Sequence, residues 1–136
     1  MSKSHEHARL MLEKAAEDLY VLDLLIVDTG APDAVVGFHA QQAVEKWLKA
    51  ALTERAIGFG RTHDLAALLD LLEDNGIAMP TGADRIPHLT PYAVVFRYGH
   101  VPLEAGGAPP LDRAWVADCV REVRAWAEAL VGETPN

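Results

Sequence analysis

The sequence predicts an all-α fold, an antiparallel up-and-down bundle of four long helices plus one shorter helix. Three observations predict it. Apolar residues recur at spacings of three and four through every long segment. No stretch alternates apolar and polar residues over a useful strand length. Turn-forming residues punctuate the pattern at short intervals, so successive helices return beside one another. Residues 92–96 form the one rival strand, and the prolines flanking them favour a short helix. The 136 residues, half of them apolar, suffice for one domain with a single core, placed at residues 4–132.

The first helix is expected over residues 4–28, with Leu12, Ala15, Leu19, Leu22 and Ile26 as its core stripe, Ser4 as cap and Glu6 in its first turn. Thr29-Gly30-Ala31-Pro32 stops it. The second begins near Pro32, which suits a first helical position, and runs to about residue 56. Val36, Ala40, Ala43, Val44, Trp47 and Ala51 share its core face. Gln41, Gln42, Glu45, Lys46 and Lys49 share the opposite face, read as a recognition and dimer surface because Phe38 and Leu52 lie on the same side. Solvated ion pairs along a helix are the bland alternative for those charges.

A glycine-bearing loop, Ile57-Gly58-Phe59-Gly60-Arg61, leads to a third helix capped by Thr62 and ended by Asn75-Gly76, with Leu65, Leu68, Leu69 and Leu72 buried. Residues 77–87 read as irregular. A shorter fourth helix opens at Thr90-Pro91 and continues to Tyr98, where Gly99 stops it. Residues 101–110, rich in Gly, Ala and Pro, form a loop. The fifth helix occupies about residues 111–131, with Val116, Val120, Val123, Ala127 and Leu130 on one face and Trp115, Cys119 and Trp126 on another.

The net charge of −8 argues against indiscriminate nucleic-acid binding, and no DNA partner is expected. The charge is uneven. Between Lys46 and Arg61 four basic residues accompany Glu54 as the one acid, which leaves room for a local basic patch. No stretch is apolar enough to span a bilayer and the N-terminus lacks a signal-peptide pattern, so a cytoplasmic location is expected with no membrane partner. The single cysteine, Cys119, excludes an internal disulfide and reads as a small buried hydrophobe. His5 and His7 project to different helix faces and no His-Glu-x-x-His spacing occurs, so no metal and no cofactor are expected.

Three places offer chemistry. The polar face of the second helix supplies Gln42 and Lys46. The loop into the third helix supplies Arg61, Thr62 and His63, with amides at the helix start as a seat for an anion. The end of the fourth helix supplies Arg97, whose fork of donors suits phosphate or carboxylate, and His100, whose imidazole suits acid/base work. At each, a structural role is the alternative: a cap, an ion pair, or an exposed loop histidine.

Phe38-His39-Ala40-Gln41-Gln42-Ala43-Val44-Glu45-Lys46-Trp47-Leu48-Lys49-Ala50, followed by Arg61-Thr62-His63-Asp64-Leu65 and then Tyr92 with Phe96-Arg97-Tyr98, resembles the HEPN domain family, over about residues 6–130. The resemblance implies a bundle of four long helices plus a shorter one, a homodimer, and a prokaryotic setting beside a small nucleotidyltransferase as a toxin and antitoxin pair. Many members are metal-independent ribonucleases whose signature is an Arg followed by a His at a longer spacing. Here two residues separate Arg97 from His100, which departs from that signature. The resemblance therefore implies first a nucleotide-binding or partner module acting through Lys46, His63, Arg61, Arg97 and Gln42. Its alternative is a toxin ribonuclease with a shortened motif, His100 as base on the RNA 2′-hydroxyl and Arg97 stabilising the transition state.

Overall fold

The computed structural model describes residues 2–93 and 110–132, and every regular element among them is helical. Helix α1 spans Lys3–Ile26. Its cap is Ser2 rather than Ser4: the Ser2 Oγ accepts from the His5 amide at 3.1 Å and satisfies one of the free donors of the first turn. The helix stops short of residue 28 because the Asp28 carboxylate accepts from the Gly30 amide at 2.9 Å and closes a turn.

Helix α2 spans Asp33–Glu54, with Pro32 one residue outside it in extended conformation. Helix α3 spans Leu65–Asp74 and is capped by Asp64, whose carboxylate accepts from the Ala66 amide at 3.0 Å. Thr62 sits one step earlier, its hydroxyl accepting from the Asp64 amide. Asn75 and Gly76 end α3, Gly76 at a φ of 73°, a left-handed conformation that favours glycine. A short 3-10 turn at Ile86–Leu89 follows within the stretch expected to be irregular. Helix α4 spans Arg113–Gly132. Of the expected 90–98 helix, its opening is described, with the Ala93 amide donating to the Thr90 carbonyl at 3.0 Å. Arg97, His100 and most of the 101–110 loop lie outside the described residues.

Helix α2 is the axis of the bundle, packing against α1, α3, α4 and the 3-10 turn. Its stripe of Val36, Ala40, Ala43, Val44, Trp47 and Ala51 is fully buried, against Ala15, Leu19 and Leu22 of α1, Leu65, Leu68 and Leu72 of α3, and Val116, Val120, Val123 and Ala127 of α4. Thirteen of its 22 residues are buried, so it lacks the single solvated face of a peripheral helix. Leu52, expected on an outward dimer surface, is therefore wholly inside the core, and Phe38 is half-buried with its ring edge-on to His39 at 5.2 Å.

Polar contacts lock both ends of the bundle. Arg113, at the start of α4, donates through Nη1 to the carbonyl of Asp28 at 2.9 Å and to those of Leu25 and Ile26 at 3.4 Å. Through Nη2 it reaches the Ala31 carbonyl and, at 3.0 Å, the Asp33 carboxylate. A cation thus meets the bare carbonyls at the end of α1, which also fixes α4 antiparallel to it. The Leu111 amide donates to the other Asp33 oxygen at 3.1 Å, and that bond, with Arg113 beside it, holds the Asp33 carboxyl below its ordinary range despite partial burial. At the opposite end His5 Nδ1 meets Glu54 Oε1 at 2.9 Å, both side chains buried, joining the start of α1 to the end of α2.

Trp126 donates its indole N–H to the Ala78 carbonyl at 2.7 Å and ties the α3–α4 connection down. Cys119 is buried, as its small apolar character requires, and burial pushes its thiol up to about 11. No helix among the described residues is long and apolar enough to cross a membrane.

Candidate functional site

The polar residues of α2 face inward, toward α1 and the loop before α3, and form one connected strip. Helical spacing puts Gln41, Glu45 and Lys49 on one line and Gln42 and Lys46 on the next. Glu45 is the hub, with a side chain only 7% exposed. Its Oε1 accepts from Gln41 Nε2 at 2.8 Å and lies 2.9 Å from His63 Nδ1, while its Oε2 accepts from Lys49 Nζ at 3.0 Å. Lys49 also sits over the Phe59 ring, 5.4 Å from its centroid. Gln42 donates to the Gln41 side chain at 2.7 Å, and Lys46 donates to Gln42 at 3.4 Å. Lys46 then pairs with Asp18 of α1, whose second oxygen lies 3.1 Å from His39 Nδ1. A chain of hydrogen bonds runs unbroken from His39 to His63.

Burial and charge decide how the strip behaves. Burial pushes the Glu45 carboxyl up, but hydrogen bonds from Gln41, Lys49 and His63, together with the Lys49 charge, outweigh it and hold the group below the ordinary glutamate range. Glu45 is thus a carboxylate, able only to accept, so His63 Nδ1 must carry a proton and donate it. The far nitrogen, Nε2, is left on a ring whose side chain is 55% exposed. A carboxylate-oriented imidazole with an outward Nε2 can accept a proton or a hydrogen bond from a ligand. Exposed Arg61, two residues away on the same loop, adds a fixed positive fork.

The expected site residues divide accordingly. Lys46 and Gln42 are partly buried inside the strip, tied to Asp18 and Gln41. His63 and Arg61 reach solvent at its edge. Arg97 and His100 lie outside the described residues. The expected anion seat at the start of α3 is already filled from within: Asp64 places a carboxylate there, the Ala66 amide donates to it, and the Leu65 amide donates to the Thr90 hydroxyl at 3.2 Å. An incoming anion would meet a charge of its own sign.

Asp18 and His39 are the participants that the sequence reading of this polar face did not include. Asp18 had one signal, an acid adjoining the core stripe position Leu19, where an unpaired charge would be costly.

The HEPN domain family description matches residues 8–130. A relative named "Putative toxin MJ1304", from Methanocaldococcus jannaschii, is 41% identical over 56 residues, covering 41% of this chain and 36% of that protein. The chain thus spans about a third of the length of that curated relative. No solved structure matches. Most of the helical bundle, with all of α2, its polar strip and the loop bearing His63, falls inside the matched region, and the chain belongs to the HEPN domain family.

Proposed function

We propose that this protein is a homodimeric nucleotide-binding or partner module of a toxin–antitoxin pair, working beside a nucleotidyltransferase in a prokaryotic cytoplasm. The strip from His39 to His63 carries the proposal, because it fixes a half-exposed imidazole two residues from exposed Arg61. His63 and Arg61 contact the ligand phosphate, Gln42 and Lys46 act through the strip that holds them, and Arg97 is the further cation of the site. The toxin name of the archaeal relative supports the paired setting. An adjacent nucleotidyltransferase reading frame is expected; its absence would remove the partner.

Calorimetric titration with ATP and GTP tests the binding. Both His63→Ala and Arg61→Ala are expected to weaken it about tenfold, the loss of one charge-assisted contact each. Unchanged affinity in both variants would sink the site. The alternative reading is a metal-independent toxin ribonuclease acting through Arg97 and His100. Incubation with labelled RNA in EDTA separates the two: no cleavage is expected, and robust cleavage lost in both Arg97→Ala and His100→Ala would replace the binding reading.

We put the proposed dimer surface on α1 rather than α2. Leu52 is core, whereas Leu10, Tyr20, Leu24 and Val27 are the large apolar residues left exposed among those described, Tyr20 by 69% and Val27 by 80%. Val27 among them lines a groove of about 340 Å³ between α1 and α4, rimmed by Arg124. Exposed Glu13, Glu17 and Asp23 flank the same face, so a two-fold pair sets the acids of one copy against the arginine of the other. Light scattering is expected to give two chains for wild type and one for Leu24→Glu; a monomeric wild type would end this assignment.

A further inference from the structure

The end of the bundle where α1 begins and α2 ends is built unlike the rest. Ala8, Ala50 and Val131 form a small buried cluster of their own, backed by half-buried Met11, Leu12 and Leu130. Two of those three buried residues are alanines, whose side chains take little apolar surface out of water. His5 and Glu54 close the end, their side chains 3% and 1% exposed, with Nδ1 and Oε1 at 2.9 Å. The remaining polar atom of each side chain, His5 Nε2 and Glu54 Oε2, is buried with no hydrogen-bond partner among the described residues. Glu45 in the α2 strip has both carboxylate oxygens engaged; Glu54 has one. Two residues farther on, Ala56 has a φ of 58°, a left-handed conformation in which a Cβ is strained. There the Ile57 amide donates to the Leu52 carbonyl at 2.9 Å and the Ala56 amide to the Thr53 carbonyl at 3.0 Å, a helix-ending turn that suits glycine at this position.

Closed, this end leaves two polar atoms without the partners that water would supply and keeps one residue in a disfavoured backbone conformation. Little apolar burial opposes those costs. Thr53 also donates to Met11 Sδ at 3.5 Å, but a thioether is a weak acceptor. A buried ion pair with missing partners holds less firmly than well-packed apolar side chains of similar volume. Farther along, α1 is held differently: Leu19 and Leu22 pack in the main core, Asp18 pairs with Lys46, and Arg113 grips the last carbonyls. Loosening is therefore confined to the first turns. Ordinary fraying would stop at one helix, whereas His5 and Glu54 couple the start of α1 to the end of α2, so the two come apart together.

We propose that the His5–Glu54 pair is a latch, and that this end of the bundle opens as a unit while the main core stays folded. The first turns of α1 lift from the last turn of α2, both latch side chains pass into water, Ala56 leaves its strained conformation, and Ala8, Ala50 and Val131 are uncovered. The latch shares no residue with the α2 strip, so it stands or falls independently of the function proposed above.

Amide hydrogen exchange of the full chain, followed by ¹H–¹⁵N spectra at low urea concentrations, reads the latch directly. Amides of residues 7–10 and 53–57 are expected to exchange through one common opening, about a hundredfold more often than those of Val44 and Leu48 in the main core. Urea should promote that opening less than it promotes exchange at Val44 and Leu48, because less surface is uncovered. Replacing the latch by an apolar pair, His5→Leu with Glu54→Leu, is expected to make the opening about tenfold rarer. Ala56→Gly, which removes the strain, is expected to make it about threefold rarer. The proposal is overturned if the two stretches open with unequal constants, as independent fraying would give, or if they open no more often than the core. It is equally overturned if the apolar pair opens more readily than wild type, since His5 and Glu54 would then be a firm tie. The wild-type measurement needs no variant, so the proposal is decided even where the double replacement does not fold.

Discussion

Glu45→Ala is expected to destabilise the protein by about 3 kcal/mol, the cost of breaking a buried ion pair from one side. Removing the hub strands Gln41, Lys49 and His63 at once, each of which gives it a hydrogen bond within 3.0 Å. Glu45→Gln keeps the shape and one acceptor oxygen, and should cost about 1–2 kcal/mol. Urea denaturation of the three proteins checks both. The pH dependence has a definite sign. The folded carboxyl is held below its ordinary value, so its contribution is complete above the ordinary glutamate range and is lost as pH falls through the lower folded value. The stability gap between wild type and Glu45→Gln should therefore be flat near neutrality and close in acid. A cost under about 1 kcal/mol for Glu45→Ala would mean that the strip is solvated after all.

Gly37→Val is expected to cost about 3 kcal/mol through overpacking, or about 10 °C in midpoint for a chain of this size. A Cβ at Gly37 would stand 2.5 Å from Tyr92 Cγ and 2.7 Å from Cε1, and the ring is itself buried, with little room to retreat. Helix propensity alone argues the other way, since glycine inside a helix is worth about 1 kcal/mol less than alanine. The sign of Gly37→Ala thus separates propensity from packing: destabilisation identifies the contact. Adding Tyr92→Ala should relieve it, so that the double variant is more stable than the two single losses predict. Thermal melts of Gly37→Ala, Tyr92→Ala and the pair read this out, and strict additivity would contradict it.

Much of the fold was legible because core stripes follow helical spacing. Leu19 and Leu22 in α1, Leu68 and Leu72 in α3, and Val116 and Val123 in α4 are buried where periodicity put them. Helix ends were less legible, since several side chains compete for each cap: Ser2 and Asp64 won over Ser4 and Thr62. The polar strip was visible in sequence but its direction was not. Gln41, Glu45 and Lys49 look like a solvated face until Asp18 and His63 are known to meet them, and those contacts join residues 18 to 28 apart. Periodicity measures one helix at a time and cannot count how many neighbours it has. Gly37 shows the same limit: as a letter it weakens a helix, and only the Tyr92 ring explains it. Arg113, which ties α1, α2 and α4 together, gave no signal beyond its charge.

The tautomer of His63 tests most directly whether the α2 strip orients this histidine for ligand contact. Neutral imidazole in water prefers its proton on Nε2, so the Glu45 contact has to reverse that preference. Long-range ¹H–¹⁵N spectra of the wild-type protein, recorded where the ring is neutral, should show the proton on Nδ1 and a bare Nε2. Glu45→Gln should shift the balance toward Nε2–H. A wild-type His63 carrying its proton on Nε2, or averaging as a free imidazole does, would contradict the arrangement and with it the role given to this edge of the protein.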